Sequence, residues 1–150
     1  MTYDEIINKN KEMLPPDYKW WATHAFHFTA LNNAINILKN GVLYSRIRAQ
    51  QNSLMQNENA SRTVINMTDF GVLSYVRFYF RPLTPTQYYN EGFKHSQLRL
   101  DSQGSNISIP IFFVFKLNCL LSDSKTAFSG KSKAGHNDEV LVGADKFAAL

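Results

Sequence analysis

A single cysteine in 150 residues, Cys119, excludes a disulfide framework and any cysteine-built metal site. Its setting, KLNCLL, predicts a buried thiol. The four histidines show no metal-ligand spacing, so no metal is expected. The longest apolar run, IPIFFVF, falls far short of the roughly 20 residues that span a bilayer. The opening MTYDEIINKNKEM places acids and lysines where a signal peptide has its apolar core, which predicts a cytoplasmic protein. GxGxxG and GxxxxGK[ST] are both missing, which argues against Rossmann and P-loop nucleotide sites. G-x-S-x-G is missing too, and with it the hydrolase nucleophile elbow. There are no repeats, no low-complexity tract and no linker.

What is present is a folding composition. Apolar residues make up 44% and aromatics 13%, enough for a real core in one domain spanning residues 1–150. The net charge of +4 allows an acidic partner without requiring one.

Residues 3–13 predict a short amphipathic helix that Pro15-Pro16 ends. A strand over 25–29 leads into a helix over 31–40, with Leu31, Ile35 and Leu38 at helical spacing, Thr29 as N-cap and Gly41 as the stop. Residues 45–66 read as a long polar loop, which in a small domain is usually functional or mobile. Residues 72–80 predict an alternating strand, with Val72, Val76, Phe78 and Phe80 on one face and Tyr75, Arg77, Tyr79 and Arg81 on the other. TPTQ (84–87) predicts a capped helix ended by Gly92. Residues 107–117 predict a central strand, 122–138 a second polar loop and 140–142 a final strand. The class expected is α+β.

Four features carry candidate chemistry, each with a plain alternative. His27 is either a half-buried ring bonded to backbone or a ligand contact at a strand end. The Tyr75/Arg77/Tyr79/Arg81 face suits stacking on bases and bidentate phosphate contact, or it is an outer face with snorkelling arginines. Lys125, Lys131 and Lys133, with His136 beyond them, form a solvated loop or a nucleic-acid contact. Glu139 shares a face with Leu141, so the alternation predicts an acid turned toward the interior, either paired or catalytic.

In order and spacing, three segments resemble the DarT family of DNA ADP-ribosyltransferases. They are HFTALNNAINILKNGVL (27–43), YVRFYFRPLTPTQYY (75–89) and NDEVLV (137–142). The resemblance implies an ADP-ribosyltransferase-like split β-sheet with flanking helices, with NAD⁺ as donor and co-substrate. It places His27, Thr29 and Asn33 in the NAD⁺ pocket and makes Glu139 the catalytic acid. Arg62 best fits the family's essential arginine, which would also bind the donor; Arg46 and Arg48 are fallbacks. Tyr75 or Tyr79 would stack on nicotinamide or on a base, while Arg77, Arg81, Lys125, Lys131, Lys133 and His136 would face the nucleic acid. Arg77 stands where the family has proline, and Arg81 replaces a small residue. The chain stops at Leu150, where relatives continue, so a compact, truncated or divergent member is implied.

Such chemistry breaks the bond between nicotinamide and ribose through an oxocarbenium-like state, which a nearby carboxylate stabilises. The acceptor is expected to be single-stranded, because a duplex hides its base edges; DNA comes first and RNA second. The resemblance further implies a toxin or anti-phage effector, opposed by a macrodomain partner. From a different class, a non-catalytic module that binds single-stranded nucleic acid is the alternative.

Overall fold

Thr2 opens helix α1 (Tyr3–Met13) with a reciprocal cap. Its hydroxyl accepts from the Glu5 N–H at 3.3 Å, and its own N–H donates to the Glu5 carboxylate at 2.8 Å. The computed structural model describes residues 1–92, 95, 97, 107–133 and 139–150. After α1 come a 3-10 helix (Pro16–Thr23), strand β1 (His24–Ala30) and helices α2 (Leu31–Asn40), α3 (Arg46–Gln51), α4 (Arg62–Asn66), α5 (Phe70–Leu73) and α6 (Pro85–Asn90). Strand β2 (Pro110–Lys116), α7 (Leu117–Leu121) and α8 (Ala144–Ala148) complete the described elements.

β1 is the axis of the molecule. It pairs antiparallel with β2 from His24 opposite Lys116 to Ala30 opposite Pro110. On its other edge Phe26 exchanges two backbone hydrogen bonds with Tyr79, both at 2.8 Å. A strand flanked on both edges and covered on both faces needs apolar or small residues on each, and HAFHFTA supplies them. Ala25 packs with Ile6 and Ile7 of α1, Leu117 and Leu121 of α7, Phe128, and Phe147 of α8. By the two-residue period of a strand, Phe28 and Ala30 lie on the opposite face, where they pack with Ile107, Tyr79 and Phe112. The result is a mixed fold, a small two-stranded antiparallel sheet with flanking helices, in the α+β class expected.

α2 departs most from its sequence pattern. Gly41 ends it as expected, in the left-handed conformation at φ 66°. Its N-cap, however, is Ala30, without a side-chain bond, and Thr29 belongs to β1. The apolar stripe is turned outward: Leu31, Ile35 and Leu38 are exposed, Leu38 at 70%, while Asn33 and Ala34 are buried. The reason lies in segment 54–59, which lies along the asparagine face. Asn36 Nδ2 donates to the Leu54 carbonyl at 2.8 Å. Asn33 Oδ1 accepts from the N–H groups of Gln56 and Asn57, at 2.8 and 3.0 Å. Polar satisfaction here overrides amphipathic patterning.

Other elements are shorter than expected. The 45–66 stretch contains α3 and α4, each opened by a buried serine whose hydroxyl accepts from the backbone: Ser45 from Arg48 N–H and Ser61 from Val64 N–H. The strand expected over 72–80 is absent. Asp69 caps a helical turn, accepting from Gly71 N–H at 2.7 Å, and only Tyr79 bridges to β1. Thr84 and Pro85 start α6 as read, but the helix stops at Asn90 rather than Gly92. β2 is shorter than 107–117, because Leu117 already begins α7. Cys119 is exposed, not buried, since α7 turns Leu117 and Leu121 inward four residues apart and leaves the thiol on another side. The strand expected at 140–142 reduces to one bridge between Phe128 and Leu141. Among the described residues no helix is long and apolar enough to cross a membrane.

Removing the Asn33 amide strands two backbone N–H groups, so Asn33→Ala should cost about 1–3 kcal/mol. Leu38→Ala, on the outward apolar stripe, should stay within about 0.5 kcal/mol. Urea denaturation, with amide exchange at Gln56 and Asn57, measures both. Equal costs would mean that α2 is held by its apolar side.

Candidate active site

One face of β1 carries Ala25, His27 and Thr29 into a cleft of about 1290 Å³, larger than the roughly 300–1,000 Å³ of most small-molecule pockets. Asn33 and Asn36 of α2, residues 42–46, residues 71–81 and residues 125–133 are among those that wall it.

His27 is fixed by main chain. Its Nδ1 lies 2.8 Å from the carbonyl oxygen of Arg77. A carbonyl only accepts, so Nδ1 carries the proton. Burial pulls the ring's pKa below the ordinary histidine value, and the Arg77 carbonyl draws it partly back. The ring is therefore neutral near pH 7, and its Nε2 is an acceptor. His27 is thus bonded to backbone and lines the cleft.

Thr29 and Asn33 line the cleft through a third residue that the sequence reading did not single out. Asn59 Nδ2 donates to Thr29 Oγ1 at 2.7 Å, and its Oδ1 accepts from the Ala30 N–H at 3.3 Å and from Asn33 Nδ2 at 3.5 Å. The Asn59 carbonyl accepts from Asn90 Nδ2 of α6 at 3.0 Å. Asn33 Nδ2 also donates to the Asn57 carbonyl at 2.8 Å, which engages both ends of its amide within the protein. In this arrangement Asn33 shapes the wall by holding segment 56–59.

The arginines separate. Arg46 lines the cleft and forms a two-pronged ion pair with Glu58, both half-buried. Arg62 is exposed at the first position of α4, and neither it nor Arg48 lines the cleft. The pair had a signal in the sequence. Glu58 is the only carboxylate between Asp17 and Asp69, in a stretch holding Arg46, Arg48 and Arg62.

The Tyr/Arg set does not share one strand face, because no strand forms there. Tyr75 is 52% exposed at the cleft wall, while Tyr79 is half-buried with its ring tilted against Phe28 at 5.9 Å. Arg77 is half-buried and Arg81 exposed, and both line the cleft. Lys125, Lys131 and Lys133 line it too. His136 lies outside the described residues. Glu139 is exposed, contrary to the interior orientation that alternation suggested. Among the described residues the 139–142 segment pairs only at Leu141, so no described pairing extends the pleat back to the acid. Glu139 is not among the lining residues, but its neighbour Val140 is.

A mixed α and β domain with a large cleft, lined by a neutral histidine and several cations, is suited to a nucleotide. Comparison with known families agrees: residues 26–141 match the family model described as "ssDNA thymidine ADP-ribosyltransferase, DarT". The chain belongs to the DarT family of ADP-ribosyltransferases, whose substrate is single-stranded DNA. No curated protein and no solved structure matches it.

The His27 ring should titrate below about 6.5 and show the Nδ1–H tautomer in ring-nitrogen NMR. As pH falls through about 6.5, the unfolded chain takes up this proton before the folded one does. Stability should therefore decline until the folded ring titrates as well. His27→Gln should remove that part of the slope, read from urea midpoints at about pH 7.5 and about pH 5.5. A ring that titrates above the ordinary value would refute the buried, neutral assignment.

Proposed function

We propose that this chain is a single ADP-ribosyltransferase domain that transfers ADP-ribose from NAD⁺ to a thymidine base of single-stranded DNA. The observation that carries this reading is the extent of the family match, residues 26–141, which takes in nearly all of the cleft walls. The cleft is roomy enough for a dinucleotide, and its cations fit a diphosphate.

In the proposed mechanism His27 accepts a hydrogen bond from a donor hydroxyl through Nε2. Thr29 and Asn33 keep the adjoining wall in place, and the exposed ring of Tyr75 stacks on nicotinamide or on the incoming base. Glu139 stabilises the positive charge that develops at the anomeric carbon as the bond to nicotinamide breaks. It then takes the ring N–H proton of the base as the new carbon–nitrogen bond forms. Arg81, Lys125, Lys131 and Lys133 track the acceptor backbone. The thymine edge is paired in a duplex, so the strand must be single or the base flipped. In the cell this chemistry would block replication, consistent with a toxin or anti-phage effector held in check by a macrodomain that removes ADP-ribose.

Incubation with labelled NAD⁺ and oligonucleotides tests the reading. Label should move to thymidine-containing single strands, with little transfer to matched duplexes and none to thymidine-free strands. Glu139→Gln should fold, bind NAD⁺ and lose at least about 100-fold in transfer. Activity within a fewfold of wild type would remove Glu139 from the mechanism. Oligonucleotide binding without transfer would favour the non-catalytic module, and labelled RNA would shift the acceptor class.

A further inference from the structure

We infer that Arg77 grips the diphosphate of the donor, beside the Arg46–Glu58 ion pair, and so belongs to the donor site rather than to the nucleic-acid track. This rests on the ADP-ribosyltransferase reading above and assigns one of its contacts.

Arg77 is half-buried in the cleft wall, and among the described residues its guanidinium has no hydrogen-bond or ion-pair partner. A cation withdrawn from water without a counter-ion is costly, and an anionic ligand relieves that cost. Glu58 cannot serve as the counter-ion. Both of its oxygens are engaged by Arg46, and one also accepts from the Ala60 N–H at 3.2 Å. Burial lowers the pKa of Arg77, the neighbouring Tyr79 draws it partly back, and the charge of Arg46 lowers it a little further. Glu58 offsets Arg46, and Asp69 and Asp123 also line the cleft, but with Arg77, Arg81, Lys125, Lys131 and Lys133 the lining keeps a net positive charge for a group bearing two negative ones.

Position favours the donor over the DNA. The Arg77 carbonyl is the acceptor for His27 Nδ1, so the backbone here is anchored to the centre of β1. A half-buried fork suits a diphosphate that enters the cleft. A DNA backbone would stay at the rim, where Arg81 and Lys125 are exposed. Arg62, which sequence position favours for the donor, is exposed and outside the lining.

Calorimetric titration of Arg77→Met, Arg77→Lys, Arg62→Ala and wild type with three probes tests this: ADP-ribose, adenosine and a thymidine-containing oligonucleotide. Arg77→Met should weaken ADP-ribose by about 10- to 100-fold, as expected for lost charge-assisted bonds. It should leave adenosine and the oligonucleotide within about twofold, and Arg77→Lys should recover part of the loss. Without ligand, Arg77→Met should melt no lower than wild type, because it removes an uncompensated charge and keeps an apolar stem. Three results would overturn the inference: unchanged ADP-ribose affinity, a loss confined to the oligonucleotide, or a loss in Arg62→Ala but not Arg77→Met. Wild-type protein that binds neither ADP-ribose nor NAD⁺ would instead overturn the function proposed above, and this contact with it.

Discussion

Two asparagine side chains, Asn33 and Asn59, join elements that would otherwise have little to hold them together. Through them β1, α2 and segment 56–59 become one body, to which Asn90 of α6 adds a bond to the Asn59 carbonyl, because every bond runs to backbone or to a neighbouring polar group already placed. A network of this kind is valuable only when complete, since each member left without its partner is a buried polar group in a low-dielectric setting. That condition explains why α2 inverts its own amphipathic pattern. Turning Leu31, Ile35 and Leu38 inward would expose the asparagines and release the segment that walls the cleft.

Several local signals were legible in the sequence. The helix over 3–13, the Gly41 stop, Pro85 at the start of α6 and the apolar core of β1 each operate within a turn or a strand, and each stands where its chemistry indicates. Patterns that needed a partner elsewhere in the chain misled. Residues 72–80 alternate well, but a strand requires a neighbour along its length, and β1 accepts only Tyr79 there. Residues 139–142 fail for the same reason, which is why an acid expected inside is exposed. The role of Asn59 could not be read locally at all, because its contacts lie about thirty residues away on either side in sequence.

The cleft shows the same division at the level of charge. Its cations were visible as a set, yet composition could not separate those paired within the fold from those left to a ligand. Arg46 is neutralised by Glu58, while Arg77, close enough to feel the charge of Arg46, is not. Two chemically identical side chains thus differ in availability because of one carboxylate.

The contact that sets the His27 tautomer is made by the carbonyl of residue 77, not by its side chain. Every amino acid carries that oxygen, proline included, which is the residue the family resemblance places at this position. The proton on the histidine is therefore indifferent to what residue 77 is, provided the backbone keeps its course. Side-chain chemistry at this point of the cleft wall is free to change in evolution, from an inert ring to a guanidinium, without disturbing the imidazole beside it.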